Sequence, residues 1–475
     1  MLHWNELDSQ SAGVLSTRMA TVQQSAPAFR AANVNRRIFS AVASVTSAGI
    51  LVKLIALCKE AAVAGVYGRS DGLDAFLIAA LIPGLLINLI SESMNQALIP
   101  TLIRVRRQEG LVQAQHLLSN AMVWLCGLSS AVAVATGLAA RGTFPLLASN
   151  FTPAKLDLAV RMFYWLLPLV LITGIATYCT AILNTLGRFA QPVLATLAIP
   201  LVTVAGAVLL NGRFGIWALV YASLAGALIH VFAVARLLGT HGYRLHLHWY
   251  GMTAASRDVV HQYGPVLLSG VVASAGLLVD QAMAAMLPAG SVSALAYAGR
   301  FVGVVLTLLA GAVSTAVTPY FSEMIAAEDW KGCRRAVNFW ARFMAWGSAP
   351  IAALLIAGSH LLIRFTLQHG AFAAHDTAVV TPVLVMYSLQ IPFFVSSRVY
   401  YRSLVAMRRT DLILYCGIVN LILDVGLNLI LMRLFGIAGI ALATSVWTAS
   451  TYFFLRYWTR KLLSEAAFAA DTTGN

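Results

Sequence analysis

Carboxylates are scarce in this chain: 18 of its 475 residues are Asp or Glu, and charged residues of either sign make up 11%. From about Phe39 onward no long polar stretch occurs, which excludes a soluble domain with a solvated surface. No run of about ten residues alternates apolar and polar positions, so the strands of a membrane barrel are missing. The five cysteines, Cys58, Cys126, Cys179, Cys333 and Cys416, are scattered without C-x-x-C or metal-ligand spacing and read as packing residues. No Gly-rich phosphate loop is present, so ATP does not drive the chain directly. Neither a Ser/His/Asp set nor an HExxH stretch falls in the apolar runs, and the chain reads as no enzyme and without a cofactor.

Apolar residues make up 59% of the sequence. They form runs longer than roughly 18 residues, enough to cross a hydrocarbon core of about 30 Å as helices. The chain therefore reads as an all-α integral membrane protein. About twelve spans are expected, near 39–66, 74–103, 115–140, 156–184, 189–211, 214–235, 259–287, 291–320, 336–363, 377–401, 411–432 and 437–457. Residues 1–38 are polar, contain Arg18, Arg30, Arg36 and Arg37, and lack the apolar core of a signal peptide.

Basic residues such as Arg104, Arg106, Arg107, Arg334, Arg335, Arg408, Arg409 and Arg460 gather on one side of this topology. The other side holds few, among them Arg69, Lys155 and Arg213. The basic side marks the cytoplasm, with both termini inside. The net charge of +14 is thus a matter of topology and of attraction to anionic lipid, not of nucleic acid.

Sliding the chain along itself by about 220 residues aligns FGIWALVYASLAG from Phe214 with FGIAGIALATSVW from Phe435. It also aligns YWLLPL from Tyr164 with YSLQIPF from Tyr387. Two lobes of six helices follow, 39–239 and 259–461, joined by a cytoplasmic linker 240–258, with a short cytoplasmic tail 462–475. Six is even, so the lobes enter from the same side and the repeats are parallel, a plan shared by carriers that alternate access to a cavity between lobes.

Charges at membrane depth cost about 2.5–3.5 kcal/mol each on insertion scales and face a cavity or a partner. Lys53, Lys59 and Glu60 fall in the first span, Asp74 and Glu92 in the second, Arg300 in the eighth. The three cations suit a phosphate or pyrophosphate. Glu60, Asp74 and Glu92 are expected to pair with them as gates. In the second lobe Asn420, Asp424 and Asn428 repeat every four residues. With Asp280 and Thr444 they offer the oxygen ligands of a Na⁺ site or a proton relay; hydrogen bonding between helices explains the same stripe equally well.

The run from Lys53 through Lys59-Glu60, VYGRSDGLDAFLIAALIPGLL and ESMNQALIPTL resembles the opening of the MurJ/MviN lipid II flippases of the MOP superfamily. LIRFTLQHGAFAAHDTAVV, Leu362 to Val380, and LAYAGRF, ending in the Arg300 segment, are similar to later motifs of that family. The resemblance implies a flippase that moves an undecaprenyl-pyrophosphate-linked saccharide across a bacterial inner membrane. Lys53 and Lys59 stand where the family has arginines, and Asp74, Glu92 and Arg300 match in kind. Where the family has an arginine pair in its second helix, this chain has Ile87 and Asn88, and the family's two extra C-terminal helices have no counterpart here. These departures point to an exopolysaccharide or O-antigen unit as well as to lipid II. A glycan polymerase or glycosyltransferase is an expected partner. A MATE-like multidrug exporter is the alternative, although a cationic drug calls for acids where this chain has lysines.

Overall fold

The computed structural model describes residues 47–241, 243 and 247–473, apart from the side chains of 91–92, 265–266, 268–269, 272–273, 312–316, 318–319 and 469–473. The expected tail 1–38 and the Glu92 side chain lie outside the described residues. So does part of the linker. Among the described residues every regular element is a helix.

The order is α1 (47–67), α2 (Asp71–Gln108), α3 (Gly110–Leu147), α4 (Pro153–Leu166), α5 (Pro168–Thr185), α6 (Ala190–Ala195), α7 (Ala198–Phe214) and α8 (Trp217–Thr240). There follow α9 (Ala254–Ala285), α10 (Ser291–Ala326), α11 (Trp330–Leu367), α12 (Ala374–Ser388), α13 (Ile391–Ala406), α14 (Thr410–Phe435) and α15 (Ile437–Thr473). Ten segments among the described residues are long and apolar enough to cross a bilayer. Helices α1 and α9 lie at the two remaining expected span positions. The chain is a multi-pass membrane protein.

Proline explains where spans break. Pro168 follows the junction of α4 and α5 at Leu167, and Pro392 follows that of α12 and α13 at Leu389 and Gln390. A proline ring blocks the helical bond to the preceding turn, so each span divides into two stacked helices. The two breaks fall at equivalent places in the sequence repeat.

The packing repeats as well. Helix α2 packs against α3, α4 and α5, as α10 does against α11, α12 and α13; α7 pairs with α8 as α14 does with α15. Even the turns match: Gly215 has φ 55° and ψ −134°, Gly436 has φ 57° and ψ −135°. A positive φ of that kind favours glycine, which lacks a Cβ to clash. Two similar six-span lobes result, and α9 lies at their boundary, packed against α2 and α3 on one side and α14 on the other.

Helix α1 runs unbroken through Gly49 and Gly65. One expectation needs correction. Helix α15 passes the expected lobe end at 461 and continues to Thr473, with Leu463 and Ala467 buried. The segment KLLSEAAFAAD is rich in strong helix formers and places its apolar residues on one face, so it extends the last span instead of leaving it as a tail.

Small residues let α7 and α8 approach closely. A Cβ on Gly206 would stand 2.4 Å from the Ala222 Cβ, and one on Gly226 would stand 3.0 Å from the Ile199 Cα. Gly206→Leu is expected to destabilise the protein by roughly 1–3 kcal/mol through overpacking. A thermal melt in detergent checks this; an unchanged midpoint would refute the close packing.

Candidate functional site

One end of the bundle carries the short loops 68–70, 148–152, 286–290 and 368–373, and there the lobes are bonded together. Helix α10 has Gly290 at its N-cap, with a φ of 81°, and a glycine has no side chain with which to cap the helix. Asp74 of α2 supplies the cap from the other lobe: its carboxylate accepts from Gly290 N at 2.7 Å and Ser293 N at 2.9 Å. The first N–H groups of a helix lack internal partners and carry its positive dipole end, so a carboxylate belongs there. Lys155 Nζ adds bonds to Asp74 at 3.3 Å and to Asp71 at 2.6 Å.

Around this cap Arg69 donates to Gly290 O at 3.0 Å and pairs with Asp376 at 3.3 Å. Tyr297 donates to Gly68 O at 2.9 Å, and Ala371 N to Gly65 O at 2.7 Å. Asn150 donates to Met286 O. All of these bonds join residues before the linker to residues after it. This end of the bundle is closed.

Asp74 therefore does not pair with the cations of α1 as expected. It is 1% exposed and bonded to the α10 terminus and Lys155. Sequence reasoning overlooked Lys155, Arg69 and Asp376 as members of this latch; the only local signals were the Asp71-x-x-Asp74 spacing and the Thr152-Pro153 start of α4.

About eight residues below the closed end, roughly 12 Å along α1, three of the expected residues come together. Lys59 Nζ lies 2.8 Å from Glu60 Oε1, and Arg300 Nε of α10 approaches the same oxygen at 3.5 Å. One carboxylate oxygen thus holds a cation from each lobe. The Arg300 side chain stays 55% exposed. A guanidinium at that depth cannot face hydrocarbon without a large cost, so the exposed side faces the gap between the lobes. Lys53, about two turns lower and half-buried, has no ion-pair partner among the described residues. Lys59 and Arg300 thus share a single carboxylate.

The second-lobe group assembles without Asn420. Asn428 Nδ2 donates to Asp280 Oδ1 at 2.8 Å and to Asp424 Oδ1 at 3.1 Å, and Thr444 donates to Asp280 Oδ2 at 3.2 Å. Asn420 is not a member: it donates to Thr451 at 2.8 Å and points toward Cys416 Sγ at 3.5 Å. The correction follows from helical rise. Asn420 and Asn428 are eight residues apart, about 12 Å, so they lie at different depths and meet different threonines of α15. Asp424 Oδ2 and Asn428 Oδ1 are buried without a hydrogen-bond partner. Two unsatisfied acceptors beside two buried carboxylates call for a positive charge.

Known proteins match along nearly the whole chain. The family model described as "Lipid II flippase MurJ" matches residues 63–472. A "Probable lipid II flippase MurJ" of Buchnera aphidicola is 21% identical over 438 residues, covering 89% of this chain and 84% of that protein. A solved structure of "Lipid II flippase MurJ, inward closed conformation" superposes with a TM-score of 0.76 at 21% identity, covering 89% of this chain and 90% of that one. An inward-facing MATE multidrug resistance transporter of the MOP superfamily gives a TM-score of 0.75 at 13% identity, covering 89% and 99%. At these identities the superpositions speak for the fold alone.

The latch makes a direct prediction. Asp74→Ala removes the side-chain cap on α10 and leaves Lys155 without its buried partner, so the closed end should open more often. Cysteines placed at Asn150 and Met286, in a chain without its native cysteines, should cross-link several-fold less in that background. Equal cross-linking would show that Asp74 does not hold the lobes together.

Proposed function

Because the chain belongs to the lipid II flippase MurJ family, we propose that it carries lipid II, a polyprenyl-pyrophosphate-linked saccharide, from the inner to the outer leaflet of a bacterial cytoplasmic membrane. The exopolysaccharide or O-antigen unit also expected from the sequence finds no support among the matched proteins. The observation that carries the reading is the meeting of Lys59 and Arg300 on one oxygen of Glu60. Two cations on one carboxylate leave most of their donors free, and a pyrophosphate offers several oxygens at higher charge. The headgroup would displace Glu60, with Lys53 as a third contact, while the lipid tail stays in the bilayer.

On this reading the latched end faces the periplasm and both termini lie in the cytoplasm, an orientation that the distribution of basic residues supports. The substrate enters from the linker side. Binding draws Lys59 and Arg300 off Glu60 and so alters a contact between lobes; opening of the Asp74 and Arg69 bonds would then release the headgroup outward. With the cell interior negative, outward movement of an anion is favoured by roughly 2.3 kcal/mol per charge at 100 mV.

Asp280, Asp424, Asn428 and Thr444 would hold a Na⁺, which supplies the positive charge their unpartnered oxygens lack. An amide oxygen such as Asn428 Oδ1 suits a metal cation better than a proton. The MATE-like fold is compatible with drug export too, but the cations of α1 and α10 would repel a cationic drug.

Lys59→Ala and Arg300→Ala are each expected to lower flipping of a fluorescent lipid II analogue in proteoliposomes by tenfold or more, with protein incorporation unchanged. Near-normal flipping in both variants would overturn the assignment.

A further inference from the structure

At the end of the bundle opposite the latch, the last turn of α2, the start of α3, the turn after α5 and the end of α8 surround a cavity of about 750 Å³. Small-molecule sites commonly measure roughly 300–1,000 Å³, so this one is large enough to hold a ligand. Arg106, His116, Arg188 and His241 border it together with Tyr243 and Tyr250, and among the described residues no carboxylate does. Both arginines are exposed, and neither forms an ion pair among the described residues.

The wall that carries Tyr250 is fixed by Asn120 of α3, which is fully buried. The Asn120 amide accepts from Tyr250 N at 2.8 Å and donates to Gly251 O at 2.8 Å and to Ser256 Oγ at 3.1 Å. Its oxygen and its nitrogen are both used, so the linker cannot leave α3 without stranding buried polar groups. The His116 ring stacks on that of Tyr250, with centroids 3.9 Å apart. The cavity is therefore a formed feature, and cationic or titratable side chains reach it from four separate segments.

Guanidinium groups without a carboxylate suit a phosphate, which each can meet with two parallel hydrogen bonds. The rim decides which phosphate. Leu111 and Val112, at the start of α3, border the same cavity and are 62% and 67% exposed. A free phosphate gains nothing from them, whereas a phospholipid can lay the start of its acyl chain there while its headgroup meets the arginines. We propose that this cavity binds an anionic phospholipid of the inner leaflet, with the phosphate on Arg106 and Arg188 and the first acyl carbons on Leu111 and Val112. Basic pockets at the cytoplasmic ends of spans take such headgroups. A lipid seated here touches both α3 and the linker, so it strengthens the hold of the linker on the first lobe at a site separate from Lys59 and Arg300. The inner-leaflet placement rests on the orientation proposed above; the affinity of the site does not.

The test is titration of the purified full chain in detergent with a fluorescent phosphatidylglycerol. At the strength basic residues show toward anionic lipid, Arg106→Gln and Arg188→Gln should each weaken binding roughly fivefold, and together roughly twenty-five-fold. Arg107→Gln removes the same charge from the next position of α2, outside the cavity, and should change the affinity by less than about twofold. Equal losses in Arg107→Gln and in the cavity variants would overturn the site and leave only diffuse attraction. Displacement of the probe by an excess of inorganic phosphate would assign the cavity to soluble phosphates and overturn the lipid assignment. Loss of binding in Lys59→Ala with none in Arg106→Gln or Arg188→Gln would place the probe in the headgroup site, which overturns this inference and leaves the proposed function standing.

Discussion

A single oxygen of Glu60 holds a lysine of its own helix and an arginine of the opposite lobe. In a chain this poor in carboxylates, that contact sets the terms for the rest. The cations cannot be left in hydrocarbon, and the acid cannot be left without them. Each is stable at membrane depth only while the lobes stand close and the gap between them stays wet. A stronger anion in that gap changes which groups are satisfied, and thereby changes how the lobes meet.

The rest of the machinery is arranged about this contact. Above it, Asp74 caps a helix of the other lobe, and Arg69, Tyr297 and Asn150 add bonds across the same boundary. These bonds join the two lobes at one end of the bundle. Beneath the latch Lys59 of the first lobe and Arg300 of the second meet on Glu60, while the second lobe buries Asp280 and Asp424 inside itself. The two lobes are alike in backbone down to the turns at Gly215 and Gly436, yet they bury different charges. On the proposed reading an anionic substrate and a cationic partner ion occupy separate places in one pseudosymmetric frame.

Hydropathy carried most of the fold in the sequence. Apolar runs located the spans, whereas the breaks before Pro168 and Pro392 came from the structure, since other prolines such as Pro83 and Pro350 sit inside unbroken helices. The central cluster was legible in part, because Lys59, Glu60 and Arg300 are charges with nowhere else to go at that depth. Asp74 was misread because its partners, Gly290 and Ser293, are 216 and 219 residues away and use backbone N–H groups, which leave no mark in a side-chain pattern. Asn420 was misread for a subtler reason: periodicity reports the face of a helix, whereas membership of a site also requires depth.

The central claim is that a pyrophosphate headgroup and the Glu60 carboxylate compete for Lys59 and Arg300. The most direct measurement is the affinity of undecaprenyl pyrophosphate for the purified chain compared with its Glu60→Gln variant, across a range of salt concentrations. Competition predicts tighter binding when Glu60 loses its charge, with the advantage shrinking as salt rises. Weaker or equal binding by the variant would show that Glu60 supports the headgroup instead of yielding to it, and would contradict the account.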